Sequence, residues 1–297
     1  MRVTPLERSQ LAAAELVLAD ACALDRATEV AEEKLFESGP SSVPLPFAAF
    51  SDRDELVGVA AVSGRWLRVL AVVPGARGRG AGSALLRACE DAARGAGETR
   101  LRTLDEPGNY LAPGIDVRNT HAIEWLERRG YQRAGEPRSN VLVPVRNNPR
   151  VTPERAAELA AACAAKGYEV RRAHADEPAL LAAAASEFGG AWPFELARAL
   201  GHAPPGVHVA LAKDGGAYCA FAAHDGNNRG LGWFGPTGTW PAHRGNGLGE
   251  ALLVACLVDV AANHSHCEVA WIGPRPFYEK VAGISSDRQF AVLQRTL

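Results

Sequence analysis

No stretch of this sequence reaches the roughly 20 uncharged apolar residues that a membrane-spanning helix requires. Its most apolar run, Leu11 to Leu24, is interrupted by Glu15 and Asp20. The opening residues Met-Arg-Val-Thr-Pro-Leu lack a signal-peptide core. An excess of positive charge is missing too: the formal net charge is −2, so no bulk field favours nucleic acid or an anionic membrane. The six cysteines (Cys22, Cys89, Cys163, Cys219, Cys256, Cys267) form no C-x-x-C pair, and buried thiols are expected. His264-Ser265-His266-Cys267 gathers metal-ligand residue types, but its spacing matches no zinc pattern and it falls at an expected helix-to-strand turn; no metal is expected. These absences lead to the expectation of a soluble cytoplasmic protein, monomer or homodimer, with no nucleic-acid or membrane partner.

What is present is a repeat. The run Arg77-Gly78-Arg79-Gly80-Ala81-Gly82 returns in the same glycine phase as Arg244-Gly245-Asn246-Gly247-Leu248-Gly249, an offset of 167 residues (244 − 77). A chain of 297 residues, 47% hydrophobic and 22% charged, is near the length of two ordinary globular domains, and the offset agrees. Each run follows a strand-like stretch closed by proline, Leu67 to Pro74 and Gly230 to Pro241, and opens an Ala/Leu-rich helical stretch. Strand, glycine loop, helix start is the arrangement in which converging backbone N–H groups and a positively polarised helix end bind phosphate. An arginine at the head of each run adds a charge-assisted donor suited to a pyrophosphate.

Two familiar nucleotide loops do not fit. The dinucleotide fingerprint needs G-x-G-x-x-G, and the first run places Ser83 or Leu85 where its third glycine belongs. A P-loop needs G-K-[ST], and neither run contains lysine. Both runs do read Arg-x-x-Gly-x-Gly, with the arginine three residues after the proline of a Val/Thr-x-Pro (Pro74 to Arg77; Pro241 to Arg244). This pattern resembles the GNAT superfamily of N-acetyltransferases, here as two tandem copies. The resemblance implies an α+β fold of two tandem GNAT domains, each a mixed, mostly antiparallel sheet flanked by helices.

The order of expected elements agrees: a strand at Arg2 to Pro5, helices at Ser9 to Leu24 and Ala27 to Ser38, a hairpin from Phe47 to Val62, then the motif strand and helix. A strand at Thr99 to Leu104 and a helix at Thr120 to Arg129 follow, and the second half repeats the order from Tyr168. The expected boundaries are an N-terminal domain at 1–146, a linker and bridging helix at 147–166 and a C-terminal domain at 167–297.

The resemblance also implies site residues. The glycine runs (Arg77, Gly78, Arg79, Gly80, Ala81 and Gly82; Arg244, Gly245, Asn246, Gly247, Leu248 and Gly249) would hold the pyrophosphate of acetyl-CoA. The motif strands, through Leu70 and Val72 and through Thr237 and Thr239, would lie along its pantetheine arm. In the family an amine attacks the thioester directly, and a tyrosine on the last helix protonates the departing thiolate. Phe277-Tyr278-Glu279-Lys280-Val281-Ala282-Gly283 resembles that helix, which makes Tyr278 the expected acid; an ordinary phenol pKa near 10 suits it. In the first copy, Asn119 to Tyr131 keeps the family's Asn, Ala and final Gly-aromatic pair in step, so Asn119 is an expected cofactor contact, but Leu126 stands where the acid belongs. The C-terminal domain is therefore the expected catalytic one and the N-terminal domain a degenerate copy.

Three further readings concern the surroundings. Gly232, Gly235 and Gly238 thin the second motif strand, either for close approach of the cofactor's arm or for a bulge. The insertion Glu106 to Arg118, rich in Pro, Gly, Asn and Asp, suggests acceptor recognition through Tyr110 and Asp116. Glu268, His224 and Glu195 are candidate bases between which spacing does not choose. The expected activity is acetyl-CoA-dependent transfer to a primary amine of a small molecule or peptide. The alternative is a non-catalytic acyl-CoA binding or sensing protein.

Overall fold

Two alanine-rich helices that each begin on a left-handed glycine organise the chain. In the computed structural model, which describes residues 1–297, the elements follow in chain order. They are β1 (Arg2–Pro5), α1 (Leu11–Ala21), α2 (Ala31–Phe36), β2 (Leu45–Phe50), β3 (Leu56–Ser63), β4 (Trp66–Val72), α3 (Ala81–Gly95), β5 (Arg100–Thr103), β6 (Ile115–Asp116), α4 (Thr120–Glu127), β7 (Gln132–Arg133) and β8 (Arg138–Pro144). Then come α5 (Pro153–Ala164), β9 (Tyr168–Arg172), α6 (Pro178–Glu187), α7 (Trp192–Leu200), β10 (Val207–Ala212), β11 (Tyr218–His224), β12 (Trp233–Thr239), α8 (Leu248–Ala261), β13 (His266–Val269), α9 (Arg275–Val281), β14 (Ser286–Ala291) and β15 (Leu293–Thr296).

The chain divides into two units, and the division is not linear. Unit 1 is 1–138 with 289–297; unit 2 is 139–288. The expected boundary after residue 146 is corrected accordingly: β8 leaves the first half to pair with β13 (Cys267↔Val143, Val269↔Val141), and β15 leaves the second half to pair with β5 (Gln294↔Arg102, Thr296↔Arg100). Val141 and Val143 are fully buried in the core of unit 2, and Leu293 in that of unit 1, so burial of these three apolar side chains favours the exchange. Residues 147–166, expected as a linker and bridging helix, belong to unit 2. Val151 and Cys163 lie in the core of unit 2, where α5 covers the outer side of α8. That cover explains why α8 reads as apolar nearly all round, from Leu248 through Leu252, Leu253 and Val254 to Val260.

In unit 1 the sheet order is β1-β2-β3-β4-β5-β15-β7, with β4 and β5 parallel and the other pairs antiparallel. Its core lies between this sheet and α3 and α4, around Leu67, Leu85, Leu101, Ile123 and Leu126. In unit 2 the order is β14-β8-β13-β12-β11-β10-β9, with β12 and β13 parallel. Its sheet is covered on one side by α5, α8 and α9 and on the other by α6 and α7. Both sheets are mixed and mostly antiparallel with helices on their faces, the expected α+β class. No helix is long and apolar enough to cross a membrane.

Candidate active site

The two glycine runs fold alike. After a single 3-10 turn, Pro74–Ala76 or Pro241–His243, the backbone passes through positive φ at Gly78 (75°) and Gly80 (94°), and at Gly245 (80°) and Gly247 (86°). Gly80 and Gly247 then cap α3 and α8. A side chain would be strained at those φ values, and no atom lies within 4 Å of where a Cβ would stand at any of the four. Each loop thus fronts open space with the unbonded amides of a helix start behind it. The arginines are set alike as well: Arg77 Nε donates to the Val72 carbonyl (3.0 Å) and Arg244 Nε to that of Thr239 (3.2 Å).

Each motif strand separates from its parallel neighbour shortly before the loop. In unit 1, β4 pairs with β5 only at Trp66↔Arg102 and Leu67↔Thr103, with a last bond from Leu104 N–H to the Leu67 carbonyl (2.8 Å). In unit 2, β12 pairs with β13 only at Trp233↔Glu268 and Phe234↔Val269. The splay leaves a wedge beside Leu70 and Val72, and beside Thr237 and Thr239, where backbone groups of the strand edge meet no further strand.

In unit 1 that wedge is a cavity of about 640 Å³. It runs from Arg77, Gly78 and Gly82 along Leu70 to Val72, under the end of α1 at Ala21 and Cys22, and against α4 through Asn119, Trp125 and Leu126. Burial, with Asp25 nearby, pushes the Cys22 thiol up to about 12, so it stays protonated. Asn119 caps α4, its side chain accepting from the Ala122 N–H. Arg129 lies over the Trp125 ring, 3.9 Å from its centroid, and donates to Ser83 Oγ (2.8 Å), which ties α4 to the start of α3. Ala21, Cys22 and Trp125 carried no sequence signal for this cavity, because α1 and α4 meet the wedge only through folding.

In unit 2 the same wedge is occupied by aromatic side chains. Phe188 follows α6 as Cys22 follows α1, each as the helix C-cap. Its ring stands on Gly238, stacks on Trp192 with centroids 5.1 Å apart and meets Phe221 and Trp240 edge to face. The thinned strand therefore makes room for protein rather than for a ligand's arm: a Cβ at Gly238 would meet Phe188, and one at Gly232 would meet His264. Gly235 alone of the three faces open space.

The last helices correspond in space. Trp125 of α4 lies against Gly82, and Phe277 of α9 against Gly249. Leu126 and Tyr278, one residue further on, are therefore equivalent. Tyr278 is buried among Phe234, Phe277 and the core of unit 2, and burial, with Cys267 nearby, pushes its phenol up to about 12.

The other expected residues are placed elsewhere. Asp116 is buried and its carboxylate holds Arg118, accepting from Nε (2.9 Å) and Nη2 (2.6 Å); it pairs in β6 with Phe290. Neither Asp116 nor Tyr110 lines the cavity, whereas Leu111 and Ile115 of the same insertion do. The insertion is locked from within: Glu106 binds Arg68 through Nε and Nη2, and Lys34 joins Glu33 (2.6 Å) to Asn109 (2.9 Å), all buried. Of the candidate bases, Glu268 accepts from Asn140 (2.6 Å) and Glu195 is buried on α7. His224 joins a network in which Nδ1 meets Asp225 (2.9 Å) and Nε2 approaches Asp259 (3.5 Å), while Asp259 also meets His208 (2.7 Å) and Arg172 (2.6 Å). Burial opposes charge on His224, but the hydrogen bond to Asp225 and the nearby carboxylate of Asp259 prevail and raise it to about 9.

Residues 18–131 match the acetyltransferase (GNAT) family. Among curated proteins, none matches the sequence. Among solved structures, the glucosamine N-acetyltransferase region of a fungal multi-domain β-N-acetylglucosaminidase superposes with a TM-score of 0.77 at 16% identity, over 99% of this chain and 38% of that one. The chain thus spans well under half of that fungal protein. A tandem GNAT protein from the clavulanic acid biosynthesis pathway gives 0.73 at 17% identity, over 99% of this chain and 98% of that one. A GCN5-related N-acetyltransferase from Sphaerobacter thermophilus gives 0.69 at 17% identity, over 99% and 95%. At these identities the likeness is one of fold.

Proposed function

Because the chain carries a GNAT-family acetyltransferase domain over residues 18–131 and has the tandem GNAT fold along its whole length, we propose that it is an acetyl-CoA-dependent N-acetyltransferase acting on a primary amine of a small molecule or peptide. The observation that carries this reading is the cavity of unit 1, which joins a glycine cradle to an unpaired strand edge. A pyrophosphate fits a loop with open space in front of Gly78 and Gly80 and cations at Arg77 and Arg79. Amides from Gly78 to Gly82, Ala81 included, would hold it; the backbone of Leu70 and Val72 would hold the arm, with Asn119 beside it.

Bound acetyl-CoA supplies an activated thioester: the amine nitrogen forms the amide bond, the C–S bond breaks and one amine proton ends on the thiol. The strand edge at Leu70 offers an N–H where negative charge develops on oxygen. With Leu126 lining the cavity, unit 1 leaves the proton to solvent. Unit 2 supports a second reading, in which Arg244, Gly245, Asn246, Gly247, Leu248 and Gly249 hold the phosphates, Thr237 and Thr239 the arm, and Tyr278, protonated at neutral pH, donates to the thiolate. Phe188 on Gly238 weighs against that reading, so donor binding is assigned to unit 1.

The test combines calorimetry with a free-thiol assay over a broad amine panel. Arg77→Ala is expected to weaken acetyl-CoA binding about tenfold or more and Arg244→Ala to leave it nearly unchanged; the reverse result moves the donor to unit 2. Tyr278→Phe lowering thiol release without weakening binding would move catalysis there. Binding with no amine-dependent thiol release makes the chain an acyl-CoA binding or sensing protein instead.

A further inference from the structure

The far end of the unit 1 cavity is built of hydrocarbon. With the phosphates on the glycine loop and the arm along Leu70 to Val72, the remaining wedge narrows towards the point where β4 and β5 rejoin at Leu67 and Thr103. Leu67, Val69, Leu111, Ile115 and Leu126 face it, all buried, from four different segments. The hydroxyl there is engaged, since Thr103 Oγ accepts from the Leu293 N–H (3.0 Å). Of the cationic lining groups, Arg77 is on the glycine loop, Arg129 is bonded to Ser83 at the start of α3, and Arg128 is exposed and paired with Glu124. Arg118 is held by Asp116.

From Leu70 to Leu67 the strand covers about 10 Å. That length exceeds what a two-carbon acyl group fills. A charged amine entering this end would lose its hydration with no carboxylate in the apolar wall to replace it. An alkyl chain would gain from the same surroundings. Leu126, which removes the phenol from this position, completes the wall.

We propose that unit 1 selects an acyl-CoA donor whose acyl chain is longer than acetyl, with the chain seated between Leu67, Val69, Leu111, Ile115 and Leu126. This rests on the reading of unit 1 as the donor site and widens the group carried from acetyl to short and medium saturated acyl. The acceptor then approaches from the side of the cavity that Cys22 and Asp25 line.

The experiment is calorimetric titration of the full chain with free CoA, acetyl-CoA, butyryl-CoA and hexanoyl-CoA. Each added methylene should tighten binding about fourfold until the chamber is full, the equivalent of about 0.8 kcal/mol per buried methylene. Acetyl-CoA binding as tightly as butyryl-CoA and hexanoyl-CoA would overturn the proposal while leaving the donor site intact. Absence of binding by free CoA and by every thioester would overturn the donor site itself, and the proposal with it. Leu126→Phe and Leu67→Phe, which narrow the chamber, should each abolish the gain with chain length and leave free CoA affinity unchanged. A gain that persists in both variants places the chain elsewhere and also overturns it. Should one variant fail to fold, the other variant and the wild-type series still decide.

Discussion

Phe188 lies on Gly238, so close that a Cβ at position 238 would come within 2.8 Å of its ring. The contact separates two wedges that are otherwise built alike, because the equivalent helix-end residue in unit 1 is the much smaller Cys22. A single aromatic residue at the end of α6 thus accounts for one cleft being open and the other filled.

Phe188→Ala is expected to cost about 2–4 kcal/mol, since the ring is shared with Trp192, Phe221 and Trp240. It should also clear the strand beside an intact glycine cradle. The stoichiometry of CoA binding should rise from one to two per chain, measured by calorimetry alongside a denaturant melt.

Gly80→Ala places a side chain at a φ of 94° and should cost about 1–2 kcal/mol. It should also weaken CoA binding, because the cradle must shift to relieve the strain. Gly97, with a φ of 80° and open surroundings beyond the end of α3, is the matched control. Gly97→Ala should lose similar stability and retain full affinity.

Arg68 and Glu106 form a pair with side chains 0% and 1% exposed. Arg68→Met leaves the carboxylate uncompensated and should destabilise unit 1 by about 3–5 kcal/mol. The double variant Arg68→Met with Glu106→Met should cost much less than the sum of the two single changes. Equal, additive losses in the four-way comparison of melting curves would show that the two groups do not interact.

His224 gives unit 2 a signature on the alkaline side. Its folded pKa of about 9 exceeds the ordinary 6.5, so its contribution is complete below about pH 6.5 and is lost as pH rises through 9. The groups facing it are Asp225, Asp259 and, through Asp259, His208 and Arg172. Denaturant midpoints between pH 6 and 10 should fall by the equivalent of roughly 2 kcal/mol, a figure reduced from the full shift to allow for solvent screening. His224→Gln should flatten the profile.

The glycine loops were legible in the sequence because everything that shapes them is local: a proline, an arginine three residues on, two glycines at positive φ and a helix start, all within nine residues. The helices around Leu126 and Tyr278 were legible for a similar reason, since Trp125 on Gly82 and Phe277 on Gly249 repeat one short-range packing scheme. What escaped depends on how side chains meet once the chain has folded. Gly238 reads as space for a ligand until Phe188, 50 residues earlier (238 − 188), is seen to fill it. Asp116 reads as a recognition residue until Arg118 turns back on it. The strand exchange is the extreme case, because the four-residue β15, with Leu293 its one apolar side chain, carries no mark of which sheet it will join.

That exchange has a consequence for synthesis. The strand between β5 and β7 is β15, made only after the whole of 139–288 has been synthesised. Until then the sheet of unit 1 lacks its sixth strand, with Leu101 and Thr103 facing an absent neighbour, while unit 2 already has every strand it needs once β14 has been made. The half of the protein that is translated first is therefore the half that finishes folding last, and a released chain ending at residue 288 should show a protease-resistant second unit and a still-soft first one.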